Sequence, residues 1–357
     1  MLRDSHAAAS AARLRYESPE RCGILRHRAG KGFTYRDAGG RLVRNAEVLA
    51  RIRRLAIPPA WRDVCIARSP NAHLQATGYD VKGRKQYRYH PSWRLVRDVA
   101  KFDDIILFVQ ALPRLRRRLA RDLREKALTK NKVVAVVVAL MERTQLRVGN
   151  RKYTDQNGSF GLTTLRDQHA RISGEELELR FRAKGGKLLD VRVRDRQLAQ
   201  AVKRCRDIPG QTLFQYYDER GVRHAVTSTD VNAYLREAMG HAFTAKEFRT
   251  WAATSLAAQH LIKCVPCESA TAGKRTLVRV AELVSQELGN TPSICRKCYI
   301  HPGIFDSYLR GELHTSFNTL LQRARRRRPP GLSINEAAVI ALIETLIAAG
   351  EELALSA

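Results

Sequence analysis

The chain has 357 residues, and its 64 Lys and Arg against 35 Asp and Glu leave a formal net charge of +29. A content of 44% hydrophobic and 28% charged residues is typical of a folded globular protein, which excludes wholesale disorder and collagen-like repeats. At about 150 residues per domain, this length predicts two or three domains.

The excess of positive charge predicts a polyanionic partner, because a compact fold with this charge repels itself unless an anion relieves the repulsion. Phosphate backbones are the commonest such partner, and the basic residues run along the whole chain. We therefore expect a nucleic acid to contact more than one domain. A merely basic surface and an anionic membrane face are the alternatives.

Several features argue against a membrane or exported protein. The uncharged apolar runs at 133–141 and 337–343 are far shorter than the roughly 20 residues of a membrane span. The first twenty residues lack the apolar core of a secretory signal. Seven cysteines, an odd number, favour mostly free thiols in a reducing compartment. We expect a cytoplasmic protein associated with the nucleoid, with no membrane partner.

The first part of the chain predicts a β-rich domain. Residues 1–20 are rich in alanine and are expected to form a flexible arm. Turn signals rich in glycine, proline and asparagine then recur as far as about residue 90. Short segments with strand character lie between these turns, at 32–36, 41–44, 73–79 and 85–89. We expect a small antiparallel sheet within a domain over residues 21–95.

After Pro91-Ser92-Trp93 the apolar spacing changes from two to about 3.6, which predicts a mainly helical domain over residues 96–320. Leucines at 112, 115, 119 and 123 share one face and predict an amphipathic helix with a basic outer surface. The segment 133–141 fits a strand or a buried helix equally well. The expected fold class is therefore α+β.

Two helix boundaries in this domain place candidate residues. The sequence Thr244-Ala245-Lys246-Glu247 has the spacing of a capping box, so Arg249 is predicted in the first turns of a helix. Another predicted helix begins near residue 274 and ends at Gly289, and the next begins two residues later. Asn290 is then at the elbow between two helices, and Tyr299 is about two turns into the second.

A β-hairpin is predicted within the helical domain. Apolar and polar residues alternate over 177–183 and again over 189–193, on either side of Gly185-Gly186. The glycine pair predicts a primed-type turn, with Lys184 beside it on the polar face. Lys184 is either a solvated surface lysine or part of a mobile tip that reaches a DNA groove. Residues 321–357 are predicted as a basic linker followed by a C-terminal helix.

The pairs Cys264/Cys267 and Cys295/Cys298 have the C-x2-C spacing of a zinc site. Both pairs lie in or beside predicted helices without the tight turn typical of a zinc knuckle. We interpret them as packing or incidental thiols and keep zinc as the alternative. The sequence contains neither a G-x-x-x-x-G-K-[ST] loop nor a compact acidic cluster for two metal ions, so we expect no metal and no nucleotide cofactor.

Phosphodiester chemistry without a metal requires a nucleophile, fixed cations around the phosphate oxygens and an acid for the leaving oxygen. Four stretches resemble, in order and spacing, the active-site segments of type IB DNA topoisomerases, most closely the bacterial and poxvirus-like members. They are Leu146-Arg147-Val148-Gly149-Asn150, Phe181-Arg182-Ala183-Lys184, Lys246-Glu247-Phe248-Arg249-Thr250-Trp251 and the segment 290–299, NTPSICRKCY. A fifth stretch, 82–89 (KGRKQYRY), resembles the DNA-contacting strand of their amino-terminal β domain.

The resemblance implies a role for each matching residue. Tyr299 is the nucleophile that forms a 3′-phosphotyrosyl link, Arg147 and Arg249 hold the phosphate oxygens, and Lys184 is the general acid toward the departing 5′ oxygen. Asn290 stands where eukaryotic and poxviral members have histidine and bacterial members have asparagine. Its amide can donate a hydrogen bond to a phosphate oxygen but cannot shuttle a proton. A residue that simply follows a helix-capping glycine would have the same identity.

The resemblance further implies that the β domain and the helical domain encircle duplex DNA as a clamp. Arg84, Gln86, Tyr87 and Tyr89 are then candidate DNA contacts, with sheet packing as the alternative for the tyrosines, and Tyr153 is a further candidate. The implied enzyme is a monomer that relaxes supercoiled DNA without ATP, metal or another cofactor. A tyrosine recombinase and a non-catalytic architectural DNA-binding protein are the alternatives. Recombinases usually have His-x-x-Arg where this chain has Lys-x-x-Arg.

Overall fold

The computed structural model describes residues 5–18 and 23–355, and the chain divides into two compact units, Met1–Asp103 and Asp104–Ala357. Residues 1–4 and 19–20 of the predicted arm lie outside the described residues. Within the described ranges, no helix combines the length and the apolar character that a membrane crossing requires.

The first unit is built on an antiparallel sheet. Its elements are α1 (Ser5–Ala11), β1 (Ile24–Ala29), β2 (Gly32–Asp37), α2 (Ala46–Arg54), β3 (Arg62–Ile66), β4 (Leu74–Tyr79) and β5 (Lys85–Tyr89). The strand order is β2-β1-β3-β4-β5, with every neighbouring pair antiparallel. The core forms where Ile52 of α2 packs with Ile24, Ile66 and Ala76 of the sheet.

Several elements of the first unit differ from the sequence prediction. The segment 41–44 is not a strand, and it meets β2 through an isolated bridge between Arg36 and Leu42. β1 and β3 were not predicted as strands, because their arginines and an aspartate weaken the pattern of residues that indicates a strand. α2 was also missed, although Asn45 caps it by accepting a hydrogen bond from the Val48 amide at 3.0 Å.

Residues 5–18, predicted as part of a flexible arm, are folded onto the first unit. Ala8 and Ala9 of α1 are buried against Trp93, with Leu14 and Tyr89 beside them. The alanines therefore act as the small buried face of a helix, which composition alone does not distinguish from an unstructured arm.

The second unit is mainly helical, with α3 continuing into it from the first. Its helices are α3 (Pro91–Leu123), α4 (Lys130–Thr144), α5 (Arg151–Asn157), α6 (Arg196–Arg206), α7 (Ser228–Met239), α8 (Ala245–Ile262), α9 (Ala270–Leu288), α10 (Pro292–Cys298), α11 (Pro302–Leu309), α12 (Leu313–Arg326) and α13 (Ile334–Leu355). Its strands are β6 (Ala170–Ser173), β7 (Glu176–Arg182), β8 (Leu188–Arg194), β9 (Gln215–Tyr217) and β10 (Arg223–Ala225). β6, β7 and β8 form one antiparallel sheet, and β9 pairs with β10.

The centre of the second unit is α4. The segment 133–141, which fits a strand or a buried helix by pattern, is a helix with every residue buried. A helix that is apolar on all sides belongs in the middle of a core. The amphipathic pattern of α3 is confirmed, since Leu112, Leu115 and Leu119 are all buried.

The predicted hairpin is formed by β7 and β8, and the alternate apolar residues of β7 are buried. Gly185 and Gly186 have positive φ angles of 81° and 78°, but the turn is not the predicted primed type, because the Gly186 amide donates to the Ala183 carbonyl across Lys184, whose φ is not positive, and Gly185. The Ala183 amide donates to the Lys187 carbonyl at 2.7 Å, so the loop itself has three residues, 184–186. The pairing of β6 with the other edge of β7 was not predicted.

The predicted basic linker is wrong in its first half, because α12 continues through Arg326. α12 and α13 pack against each other, and residues 337–340, 342 and 343 of α13 are buried in the core of the second unit. The C-terminal helix is therefore an integral part of the folded unit.

A partly buried ion-pair network joins α13 to α3 and α4. Arg116 of α3 donates to the Glu336 carboxylate at 2.6 and 3.0 Å, and its Nε donates to Glu142 at 2.7 Å. Its Nη1 also donates to the Gly331 carbonyl at 2.6 Å. Burial by itself would raise the pKa of Glu336, but hydrogen bonds from Arg116 and Ser333 outweigh burial and hold that pKa below its ordinary value.

Replacing Glu336 with Gln should destabilise the protein by about 2 kcal/mol at neutral pH, because Arg116 loses a charged partner. A carboxyl with a lowered pKa in the folded state contributes stability above its unfolded-state pKa, near 4.5. That contribution is lost as the pH falls through the lower folded value. Urea unfolding of parent and variant, from neutral pH down to about pH 3, measures the difference. A gap in unfolding free energy that stays constant with pH would contradict this prediction.

Candidate active site

Arg147 lies in a loop that packs closely against a neighbouring segment, because Gly149 and Gly161 allow the two backbones to approach each other. α4 ends at Gln145, whose left-handed backbone conformation (φ 56°) turns the chain away from the helix axis. The Arg147 carbonyl accepts a hydrogen bond from the Leu162 amide at 2.9 Å. A Cβ at position 161 would lie 2.6 Å from the Gly149 backbone, so only glycine permits this approach. The half-buried Arg147 side chain is therefore presented from a fixed loop.

Arg249 is held by the ends of two other helices. It lies on α8, which begins with the predicted capping box between Thr244 and Glu247. One terminal nitrogen donates to the Leu288 carbonyl at 2.7 Å, and the other donates to the Gln145 carbonyl. The residue is 4% exposed, and its Nε has no hydrogen-bond partner among the described residues. Backbone carbonyls thus orient the guanidinium and leave it with unused donor capacity.

Asn290 occupies the predicted elbow between α9 and α10. Gly289 ends α9 with a φ of 62°, and α10 follows after one more residue. The side-chain oxygen of Asn290 accepts a hydrogen bond from Arg147, and the residue is 7% exposed. Its side-chain amide nitrogen has no partner of normal hydrogen-bond geometry in the described part of the chain, and the weakly accepting Cys295 thiol lies beside it. An amide donor is therefore available next to the Arg147 guanidinium.

The structure corrects the position of Tyr299. α10 ends at Cys298, so Tyr299 is the residue that caps the helix (φ −129°, ψ −32°) and does not lie within it. The Thr254 hydroxyl of α8 donates to the Tyr299 carbonyl at 3.1 Å and accepts from the His301 amide at 3.1 Å. The Arg249 guanidinium carbon lies 5.4 Å from the centre of the tyrosine ring. The helix that carries the arginine therefore also anchors the backbone of the tyrosine.

Arg147, Arg249 and Tyr299 line one cleft of about 570 Å³ in the second unit, together with Lys184 from the exposed hairpin tip. Two further lysines, Lys152 and Lys246, bring the number of lining cations to five. No Asp or Glu occurs among the described residues that line this cleft. Such a surface is suited to a strongly anionic ligand.

The two arginines raise each other's electrostatic energy. Burial lowers the pKa of Arg147 from its ordinary value, and the positive charge of Arg249 lowers it further. A guanidinium nonetheless stays protonated at any physiological pH, so the two charges repel each other. A phosphate group between them would relieve this repulsion and accept from their unused donors.

Tyr153 of α5 also lines the cleft, close enough for its phenol to interact with the charge of Arg147. Lys152 and Lys246 were missed as site residues. Lys246 precedes Arg249 by three residues on α8, so helical spacing could have revealed it. The backbone carbonyls that orient Arg249 leave no signal in the sequence at all.

The candidate DNA contacts of the first unit lie on β5 and the turn before it. Arg84 pairs with the Asp80 carboxylate at 2.7 Å, and Gln86 donates to it at 2.9 Å. The hydrogen bond from Arg84 lowers the pKa of Asp80 to about 2. Tyr87 and Tyr89 share a face with ring centres 6.0 Å apart; Tyr87 is 41% exposed, whereas Tyr89 packs against the cluster beneath α1. Contact with DNA stays a prediction for all four.

The cysteines of the second unit are free thiols, while Cys65 of the first unit is disulfide-bonded. In the described ranges, no group of three or more His, Cys, Asp or Glu side chains is arranged to hold a metal ion. Burial raises the pKa of the Cys295 thiol, against the opposing effects of the Asn290 amide and the nearby arginines, so this thiol stays neutral.

Fold and cleft together define the class: a protein with a β-rich unit and a helical unit, whose cleft holds a tyrosine among arginines and lysines and suits an anionic ligand. A family model described as the catalytic core of eukaryotic DNA topoisomerase I matches residues 90–311. A second, the N-terminal domain of bacterial DNA topoisomerase IB, matches residues 32–80. The chain belongs to the type IB DNA topoisomerases.

Viral relatives are similar over most of the chain. The DNA topoisomerase 1B of Acanthamoeba polyphaga mimivirus is 32% identical over 286 residues, which cover 78% of this chain and 85% of that protein. The DNA topoisomerase 1B of vaccinia virus is 24% identical and the DNA topoisomerase I of monkeypox virus is 23% identical, each over 64% of this chain and 70% of the relative. The predicted family, α+β fold and kind of enzyme are confirmed, and nothing favours the recombinase or the architectural protein.

Proposed function

We propose that the Tyr299 phenol attacks a phosphorus of the DNA backbone, forming a 3′-phosphotyrosyl ester and releasing a strand with a 5′-hydroxyl. The observation that carries this proposal is the cleft, where five cations and no described carboxylate accompany the tyrosine. As the new O–P bond forms, the phenol proton passes to water and the bond between phosphorus and the 5′ oxygen breaks. The ester conserves the energy of the phosphodiester, so resealing by the 5′-hydroxyl needs no ATP.

Arg147, Arg249 and Asn290 are proposed to hold the non-bridging oxygens of the reacting phosphate. The unused donors of the two guanidiniums and the buried Asn290 amide support this role, because each is held rigidly by the protein before DNA arrives. Donors fixed in advance stabilise the extra charge of the five-coordinate transition state without reorganisation. The asparagine takes no part in proton transfer.

Lys184 is proposed to protonate the departing 5′ oxygen, and to take the proton back when the strand is resealed. An alkoxide is a poor leaving group, so an acid at this position lowers the barrier to cleavage. The support is its place at the edge of the cleft that also holds Tyr299, on a hairpin tip exposed to an incoming strand.

The chemistry relaxes DNA because the free strand can rotate between cleavage and resealing, driven by superhelical strain. We propose that the enzyme acts as a monomer on double-stranded DNA, in the cytoplasm at the nucleoid. One chain supplies all five proposed catalytic residues, which supports the monomer. The net charge of +29 supports the association with DNA.

Relaxation of supercoiled plasmid in EDTA without ATP tests the proposal. We expect full relaxation, at a rate proportional to enzyme concentration if the monomer is active. Denaturation during the reaction should leave protein attached to the 3′ end of a broken strand, and peptide mapping should place that DNA on Tyr299. Attachment to a 5′ end, or to any other residue, would overturn the assignment.

A further inference from the structure

Lys187 connects the hairpin tip to the elbow that carries Asn290. Its ammonium group donates to the Asn290 carbonyl at 2.7 Å. Two residues further on, in β8, Leu189 lies close to the elbow, where a Cβ on Gly289 would be 3.6 Å from the leucine side chain. One polar and one apolar contact therefore join the hairpin to the junction between α9 and α10.

Behind the tip, the strands pair as far as Arg182 and Leu188, and the Phe160 amide donates to the Arg182 carbonyl at 2.8 Å. All of the residues 184–188 are exposed. Within the loop, Ala183 donates to the Lys187 carbonyl at 2.7 Å and Gly186 donates to the Ala183 carbonyl at 3.0 Å. These bonds fix Lys184 relative to Lys187, yet the Lys184 side chain makes no hydrogen bond with any described residue. The position of Lys184 in the cleft therefore depends on how the tip as a whole is anchored.

The other end of the contact is firmly placed. The backbone amide of Asn290 donates to the Ser285 carbonyl of α9 at 2.9 Å, and the Asn290 side-chain oxygen accepts from Arg147. The carbonyl that receives Lys187 thus belongs to the same residue that bonds to the phosphate-holding arginine. Lys187 therefore links the hairpin that carries Lys184 to the elbow residue that contacts Arg147. Both parts of the site are proposed to act on the same phosphate.

We propose that Lys187 is a positioning residue that fixes the hairpin so that the Lys184 ammonium meets the departing 5′ oxygen. The inference rests on the proposed role of Lys184 as the general acid. Without Lys187, the Lys184 ammonium is still attracted to DNA and the two arginines are largely unaffected. The acid is, however, no longer held at the leaving oxygen. A small misplacement of a catalytic group costs up to about 100-fold in rate.

The test compares single-turnover cleavage of two DNA substrates, one ordinary and one with sulfur in place of the bridging 5′ oxygen at the cleavage site. A thiol is far more acidic than an alcohol, so the sulfur departs without an acid. Lys187→Met should cleave the ordinary substrate about 10- to 100-fold more slowly and the sulfur substrate at the parent rate. Lys187→Arg, which keeps a donor at this position, should recover most of the rate. Lys203→Met removes an exposed lysine from α6 and should match the parent on both substrates.

The results separate two kinds of failure. Lys184→Ala should be slow on the ordinary substrate and fast on the sulfur substrate; if it is slow on both, the proposed general acid is wrong. If Lys184→Ala behaves as expected but Lys187→Met is slow on both substrates, Lys187 serves the phosphate clamp or the fold, and the positioning role is wrong. Lys187→Met at the parent rate on the ordinary substrate also refutes it. The double variant should be no slower than Lys184→Ala, since both changes remove one function.

Discussion

Replacement of Tyr299 by Phe should abolish plasmid relaxation and covalent adduct formation, a loss of more than about 10⁴-fold in cleavage rate. The substitution removes only the phenolic oxygen. The ring that lies 5.4 Å from the Arg249 guanidinium and the backbone bond to Thr254 are both retained, so the fold and the cleft should persist. DNA binding and thermal unfolding should match those of the parent.

Tyr153→Phe is the matched control, because it removes a phenolic oxygen from the same cleft. This variant should still form the covalent adduct, with any defect confined to DNA affinity. Relaxation by Tyr299→Phe at the parent rate would eliminate Tyr299 as the nucleophile. If Tyr153→Phe instead abolishes adduct formation, the nucleophile is Tyr153 of α5.

Truncation of either arginine of the cleft should slow single-turnover cleavage by about 100- to 1000-fold, because each removes a fixed donor to the transition-state charge. Equilibrium DNA binding should change little, and the slope of its dependence on salt should fall by about one phosphate contact. Arg236→Ala, which removes an exposed charge from α7, is the control for loss of one cation. If binding and cleavage fall by the same factor, the arginines serve binding alone and the clamp role is wrong.

The two arginines should differ in stability. Arg249→Ala leaves two carbonyls, those of Gln145 and Leu288, without their donor in a buried setting, whereas Arg147→Ala removes a half-buried side chain and leaves one acceptor, the Asn290 side-chain oxygen, without its donor. Orphaned buried acceptors are costly, so Arg249→Ala should unfold at the lower urea concentration. Arg249→Lys retains the charge but cannot reach two carbonyls and a phosphate together, so it should recover little of the cleavage rate.

The prediction of the local structure around the candidate site was accurate where the signals are local. The capping box at Thr244, the turn glycine at Gly289 and the hairpin around Gly185 each depend on a few neighbouring residues, and each occurs where predicted. The error at Tyr299 is also local, since it concerns a single residue at the end of α10. Local spacing indicated a helix there but could not show that α10 stops one residue earlier, where the chain bonds to Thr254 of α8.

Prediction of the first unit was weaker for a related reason. β1 and β3 contain charged residues on an exposed sheet face, so their identity as strands depends on the partners that pair with them. Likewise, the alanines of α1 form a helix because Trp93 provides a surface to pack on. A pattern that is weak by itself becomes regular structure when long-range contacts supply the missing stability.

The order of residues by itself therefore determined the family, the kind of enzyme and the α+β fold, since motif order and local periodicity carry that information. The five catalytic residues are proposed from the resemblance of their motifs to those of the family. Only the tertiary structure decided that 133–141 is a buried helix, that the C-terminal helix belongs to the core, and how the arginines are aimed. Arg147 bonds to a residue 143 positions away and Arg249 to a carbonyl 104 positions away. Contacts at such separations, several of them made by backbone atoms common to every residue, exist only once the chain has folded.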